Sequence, residues 1–353
     1  MHQAEATLSR FRHIDLLEFS RRCFFKVGLP DTDASLVADH LVSANLRGVD
    51  SHGVVRIPYY VEGFEKGYLK PRAELKLLRE GPTWALLDCG MGLGIVGATR
   101  ASEIAAEKSL TLGVAVVGAV NIGHTGMLAY YTKRIAERGV VGVAMVNGVA
   151  EMPPWGGIGR VFGTNPISMA IPRRDSPPIL VDMATSAIAK FKVHLAAARG
   201  EMLPEGVALD DEGKPTRDPA EALKGCLLPF GGHKGYSLAL FIELMASSLI
   251  GAPRSVDVRD HPSQQGGLLI LAINPEVFGD KTLFLERVES VVRALKSVRK
   301  AEDVQEILLP GEPEERTMRE RLKNGVPLDQ NTVKRLREVG ERLGITHPPP
   351  INL

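Results

Sequence analysis

Between Trp84 and Asn147 the chain alternates strand-like and helix-like segments, and nothing else in it restricts the fold as strongly. WALLDC reads as a strand, TRASEIAAEKSLTLG as a helix, VAVVGAV as a strand, GMLAYYTKRIAERG as a helix and VGVAMVN as a strand. Strands and helices in alternation bury one another's apolar faces, so the middle of the chain is expected to be an α/β layer. The ends read differently. Residues 14–27 carry apolar groups at helical spacing and stop at Gly28 and Pro30. A second helix starts at DTDA, with Asp31 or Thr32 as its cap, and gives way at Arg47 and Gly48 to the polar segment RGVDSHGVVR. Helix-period patterns return at residues 284–299, 314–323 and 331–343.

Composition removes several classes of function. The 353 residues include 43 basic and 42 acidic ones, so no net field draws a polyanion, and no basic cluster interleaved with aromatics marks a nucleic-acid face. Cys23, Cys89 and Cys226 are odd in number and far apart, which gives neither a disulfide framework nor a metal or redox pair. No His, Cys and carboxylate spacing suits a metal. The first residues, MHQAEATLSRFRH, lack an apolar signal core, and no run reaches the roughly 18 apolar residues of a spanning helix. The expectation is a cytoplasmic protein without membrane or nucleic-acid partners.

One motif invites a cofactor assignment and fails its own test. GMGLGIVG places Gly92, Gly94 and Gly97 in dinucleotide-fingerprint spacing between a strand and a helix. The fingerprint also requires an acidic residue ending the second strand, yet VAVVGAV runs into Asn121. The glycines are therefore expected to make a tight strand-to-helix turn.

Hydride chemistry at an alcohol carbon needs a proton carrier, a cationic anchor for a carboxylate and a dry pocket. His52 in DSHG and His124 in NIGHTG both lie on irregular backbone and either can carry the proton, with Ser51 adjacent to the first. Arg56 and Arg47 bracket His52; a guanidinium grips a carboxylate through two parallel hydrogen bonds, whereas a solvated charge at a helix end is the plainer role and suits Arg47 better. Asn165 in GTNP orients a substrate or closes a turn. VDMATS ends a strand at Asp182 and offers Thr185 and Ser186 as helix caps, and LPFGGHKG sets Lys234 at the start of an apolar helix, where backbone donors and an ammonium make a phosphate seat.

Taken in order, RGVDSHGVVR, NIGHTG, PPWGG, FGTNP, VDMATS, LPFGGHKGYSLAL and LPGE resemble the type 2 malate/L-lactate dehydrogenase family over nearly the whole chain. The resemblance implies a non-Rossmann α/β fold: a helical part from both chain ends (residues 1–80 and 305–353) joined to a central α/β part (81–304), NAD or NADP between them, and subunits paired as homodimers. It implies His52 as proton donor and acceptor, with Ser51 and Arg56 nearby; in enzymes similar to ureidoglycolate dehydrogenase the histidine matching His124 has that role. Cofactor contacts would fall on Asp182, Met183, Ala184, Lys234, Gly235, Pro310, Gly311 and Glu312. Where relatives usually have a glycine, this chain has Phe191 before Lys192, which narrows the pocket or alters the cofactor contact there. The substrate expected is a small 2-hydroxy or 2-oxo acid such as malate, lactate, sulfolactate or ureidoglycolate. Reduction of a cyclic imino acid is the alternative, and a non-catalytic dinucleotide sensor, which would have lost its proton carriers, is the third.

Overall fold

The computed structural model describes residues 8–259 and 266–351, so the first seven residues of the N-terminal segment read above lie outside the described residues. The chain opens with strand β1 (Ser9–Phe11) and helices α1 (His13–Lys26), α2 (Asp31–Leu46) and α3 (Ile57–Glu65). The α/β part follows as β2 (Lys76–Gly81), β3 (Trp84–Asp88), α4 (Gly94–Leu112), β4 (Val114–Ile122), α5 (Ala129–Glu137), β5 (Val141–Val146), β6 (Ile167–Ile171) and β7 (Ile179–Met183). Next come α6 (Lys190–Arg199), β8 (Ala208–Leu209), α7 (Pro219–Lys224), β9 (Cys226–Leu227), α8 (His233–Glu243), β10 (Gly266–Ile273) and α9 (Lys281–Ser297). The tail adds α10 (Glu312–Asn324), β11 (Val326–Leu328) and α11 (Gln330–Leu343).

The chain ends meet through β1 and β11, which pair antiparallel with Phe11 opposite Val326. Beneath that ribbon, Leu16, Phe24, Leu41, Ile57 and Tyr60 from the first helices share one buried cluster with Leu336 and Val339 from α11. Each helix contributes one apolar stripe and the shared core hides them all. Neither Asp31 nor Thr32 caps α2; Pro30 takes the capping position and Asp31 sits in the first turn, where its charge complements the helix dipole.

The central sheet runs β2-β3-β4-β10-β5-β6-β7. Among the described residues only β3 and β4 of this sheet pair in parallel, joined by α4 as crossover; its other pairs are antiparallel. A doubly wound dinucleotide fold needs a parallel sheet on both sides of its switch point, so this sheet departs from that plan. The middle strand, β10, has no counterpart in the sequence reading: GGLLILAI is apolar throughout and buried on both faces, which leaves no alternation to read. β2, exposed along nearly its whole length, was equally silent. Because β2 pairs with β3, the division expected at residue 80 falls inside the sheet. The helix expected from Ser186 starts at Lys190, since Ser186 bridges to Pro229 instead. Tracing the pairings, β4, β5 and β7 end at one edge of the sheet, where β10 begins, and the helical part faces that edge.

Candidate active site

A cleft of about 1120 Å³ opens at this edge. One wall is the segment Arg47–His52 with Arg56 and Tyr59; the opposite wall holds Leu180–Ala184, Ala189–Lys192 and Leu308–Gly311. Its floor is made of Ile122–Ala129 after β4 and Val146–Val149 after β5.

The wall that carries His52 is an irregular segment nailed at both ends. Gly48 ends α2 in the left-handed region at φ +80°, as the sequence reading required of it. Asn45 then accepts from the backbone N–H of Val54 at 2.8 Å and donates to Asp50 at 2.6 Å. From the tail, Arg321 adds two bonds to the Asp50 carboxylate, at 2.6 and 3.0 Å. Gly53 is needed because a Cβ there would overlap the Asn45 side chain. So fixed, the turn Asp50–His52 presents His52 with its Nδ1 2.8 Å from the Ser51 hydroxyl, and Arg56 donates from Nε to the Ser51 carbonyl at 2.7 Å.

His124 arrives from the other part of the molecule. Its ring lies parallel to that of His52 within 15°, with centroids 5.6 Å apart, and its Nδ1 is 2.6 Å from the Tyr60 hydroxyl. With each Nδ1 occupied, Nε2 is the nitrogen that neither ring commits to a protein partner among the described residues. Burial pushes His52 down to about 3, with Arg56 adding to the effect. Burial likewise holds His124 well below its ordinary value, followed by Arg56, His52 and His40. Both imidazoles are therefore neutral near pH 7 and able to accept a proton.

Across the cleft, Asp182, the last residue but one of β7, accepts at 2.8 Å from the backbone N–H of Ala129, the first residue of α5. Enclosure by protein raises its carboxyl to about 7, although the side chain is open to the cleft itself. The loop carrying Leu309 to Gly311 joins the edge of β7 through Leu180 N–H to Pro310 O at 3.1 Å.

Of the residues singled out from sequence, the structure brings Ser51, His52, Arg56, Arg47, His124, Asp182, Met183, Ala184, Pro310 and Gly311 to this one cleft. It does not bring four others there. Asn165 is fully buried with its amide donating to Glu243 at 2.9 Å and to the Ala239 carbonyl at 3.1 Å, so it braces α8 and faces no ligand. Lys234 stands exposed on the first turn of α8, outside the cleft lining, and Gly235 is packed against the backbone of Phe230 and Thr185. Glu312 is held at its own turn by Lys296 at 2.5 Å and Leu309 N–H at 2.8 Å. Arg47 is also not the solvated helix-end charge that its position suggested: it is 5% exposed, pairs with Glu315, and keeps a buried Nε with no partner among the described residues.

His40 and Tyr60 escaped the sequence reading. His40 lies on the buried face of α2 and accepts the backbone N–H of Met127 at 2.9 Å, which fixes the NIGHTG turn from below. Gly126, at φ +70°, allows that approach, since a Cβ there would overlap the imidazole. The one available signal was a histidine among apolar residues at helical spacing, a pattern that reads equally well as core.

The donor set suits a nicotinamide dinucleotide with a small acid. The cleft exceeds the roughly 300–1,000 Å³ of a single small-molecule site. Gly148 leaves the floor open where any side chain would intrude on the space, and the orphaned Arg47 Nε on the lining is a buried donor awaiting an acceptor. The glycines of GMGLGIVG do not line the cleft.

Several known proteins share this architecture. L-sulfolactate dehydrogenase from Methanocaldococcus jannaschii is 39% identical over 91% of this chain and 93% of its own. The structure of malate dehydrogenase from Pyrococcus horikoshii superposes with a TM-score of 0.90 at 34% identity, covering 98% of this chain and 99% of that one. Delta1-piperideine-2-carboxylate reductase from Pseudomonas syringae pvar. tomato superposes at 0.84 with 32% identity, over 94% and 99%. An enzyme of the dehydrogenase class is the common ground of fold and relatives. Residues 11–337 match the profile of the malate/L-lactate dehydrogenase family, and the chain belongs to that family. Dehydrogenases of this family use a nicotinamide cofactor on small hydroxyacids.

Proposed function

We propose that the protein interconverts a small 2-hydroxy acid of the malate or sulfolactate type and its 2-oxo acid, with NAD or NADP bound along Asp182, Met183, Ala184, Pro310 and Gly311. The observation that carries this reading is the meeting of Arg56 and His52 on one cleft wall with His124 on the floor, the two neutral imidazoles stacked on each other. The cofactor supplies or accepts the hydride. Everything else falls to the chain's own side chains. Arg56 grips the carboxylate beside the reacting carbon through its two terminal nitrogens. His52 takes the hydroxyl proton at Nε2 in oxidation and returns it in reduction, with Ser51 holding its ring through Nδ1. A bound carboxylate offsets the Arg56 charge, the lesser of the two causes that hold His52 down, burial being the larger. His124, braced by Tyr60, flanks the same position and is the second candidate carrier.

The likeness to the piperideine-carboxylate reductase favours a second reading, reduction of a cyclic imino acid, in which the carboxylate anchor is retained and no hydroxyl proton is withdrawn. A panel of oxaloacetate, pyruvate, 3-sulfopyruvate and piperideine-2-carboxylate with NADH and NADPH, followed at the nicotinamide absorbance band, separates the two. Turnover of the oxo acids is the expected outcome, and turnover confined to the imino acid overturns it.

As to setting, we place the protein in the cytoplasm as a homodimer. Three buried free thiols suit a reducing compartment. Phe241, Leu244 and Leu249, exposed along α8 and the turn after it, form an apolar face of the kind a second copy covers. No helix among the described residues is long and apolar enough to cross a membrane.

A further inference from the structure

Arg56 is held on three sides. Its Nε donates to the Ser51 carbonyl, and its guanidinium carbon lies 5.9 Å from the ring centroid of Tyr59 and 5.9 Å from that of Phe191. Tyr59 belongs to the same stretch of chain as Arg56, at the start of α3. Phe191 comes from the opposite wall, as the second residue of α6. Among the described residues, the two terminal nitrogens of Arg56 have no protein partner. The backbone that delivers the Phe191 ring is itself anchored. Lys190 pairs with Glu151 at 2.5 Å, and Val193, one turn on, is buried in a cluster with Met152 and Leu203. The ring therefore stands at a set place on the far wall rather than on a loose flap.

A cation over an aromatic face is attracted by the ring's quadrupole, and a guanidinium also lies flat on it. A long side chain gripped at Nε and lying within cation–π reach of two rings has few rotamers left to lose when a carboxylate arrives. The same ring occupies cleft volume that a longer substrate chain would need.

We propose that Phe191 is the positioning residue for Arg56 and the size filter at the acid-binding end of the cleft, its ring facing the guanidinium across the gap so that the two terminal nitrogens are held toward the substrate carboxylate. This rests on the reading of Arg56 as carboxylate anchor. It selects for short acids, whose carbon chain fits between the two walls, over those extended beyond the second acid group.

The test uses the full-length protein saturated with cofactor. Calorimetry reads the Kd of oxalate, a bare carboxylate probe, and steady-state rates are taken with oxaloacetate and the longer 2-oxoadipate. Phe191→Ala is expected to weaken oxalate binding and raise the oxaloacetate KM about tenfold, equivalent to ~1.4 kcal/mol, with kcat within about twofold and cofactor Kd unchanged. Phe191→Trp should restore tight oxalate binding, whereas Phe191→Leu, which keeps bulk without a π face, should not. Only Phe191→Ala should improve kcat/KM for 2-oxoadipate relative to oxaloacetate. If leucine restores oxalate binding as well as tryptophan does, or if Phe191→Ala leaves it unchanged, the positioning role is wrong. Arg56→Lys, run in parallel, separates the two levels. A normal oxalate Kd in that variant refutes the anchor itself, while a weakened one beside a normal Phe191→Ala refutes the role of Phe191 alone.

Discussion

Two glycine-rich turns follow neighbouring strands of the same sheet and come out with opposite roles. The turn after β3, Cys89–Leu93, opens the run with the spacing of a dinucleotide fingerprint; the turn after β4, Gly123–Leu128, has no such signature. The second one lines the cleft and carries His124, while the glycines of the first stay outside the lining. What separates them is the use made of each glycine. At the start of α4, just past the first turn, Gly97 lets Cys89 approach, where a Cβ would lie 2.5 Å from its sulfur, and a Cβ on Gly94 would overlap the carbonyl of Gly123 in the second turn. The two turns are stacked. Met91 N–H donates to the Asn121 carbonyl at 3.0 Å, Asn121 donates from its side chain to Asp88 at 3.0 Å, and both Met91 and Asn121 take positive φ, at 68° and 50°. The fingerprint-like turn is thus a buttress for the turn that holds His124. A glycine pattern reports only that backbone comes close to something, and here the something is the protein's own interior: backbone at Gly94 and a buried thiol at Gly97.

The sharpest way to break this comparison is to remove the side chains that make the second region chemical. His52→Ala should lower kcat by about two to four powers of ten, the ordinary worth of positioned acid or base help, with NAD(P)H affinity unchanged. His124→Ala should cost less, since His52 retains Ser51 and stays beside Arg56. Stopped-flow hydride transfer in the two variants decides the order. Abolition of transfer by His124→Ala, with His52→Ala raising only KM, would reverse the two roles.

How much of this was legible follows the same divide between pattern and contact. The strands β3, β4 and β5 and the helices between them carry clean periods, and their positions follow from sequence. β10, at the sheet's centre, has no period because both of its faces are buried. In the site, DSHG and NIGHTG stood out as histidines on irregular backbone, and both line the cleft, but their local pattern is shared with residues that only brace the fold. Asn165 has the same look and serves instead as a buried brace for Glu243, a distinction that depends on a helix some 70 positions away in sequence. Arg47 reads as a solvated helix end until Glu315, from the far end of the chain, covers it. Long-range contacts decided each of these cases, and local pattern carries no information about them.

A second test perturbs the buttress and leaves the histidine in place. Gly94→Ala forces a methyl group into the Gly123 carbonyl and the backbone of His124, so it should cost about 1–3 kcal/mol of stability by overpacking. It should also lower kcat through displacement of the imidazole, while NAD(P)H Kd stays within about threefold. A folded variant with lost cofactor affinity and normal kcat would mean that the first turn is a cofactor seat after all.

The smallest effect concerns the histidine that holds the second turn from below. His40 is fully buried and accepts the Met127 N–H, so its other nitrogen carries the proton and finds no partner among the described residues. Burial pushes it down to about 3, with His52 adding to the shift. The native state therefore binds fewer protons here than the unfolded chain, whose histidine titrates at about 6.5. Stability contributed by neutral His40 is fully present above that value and is lost as pH falls from about 6.5 toward 3, by about 1 kcal/mol between pH 6 and pH 5. Asp182, raised to about 7, works in the opposite sense, its share being lost as pH rises through the same window. Its opening to the cleft weakens that share through solvent screening. Comparing wild type with His40→Gln removes Asp182 from the difference, because the glutamine oxygen still accepts the Met127 N–H while nothing at position 40 titrates. Urea unfolding at pH 6 and pH 5 should show a shallower loss of stability in the variant. Equal slopes in the two proteins would mean that His40 takes up a proton in the folded state, and that the NIGHTG turn is held by some other contact.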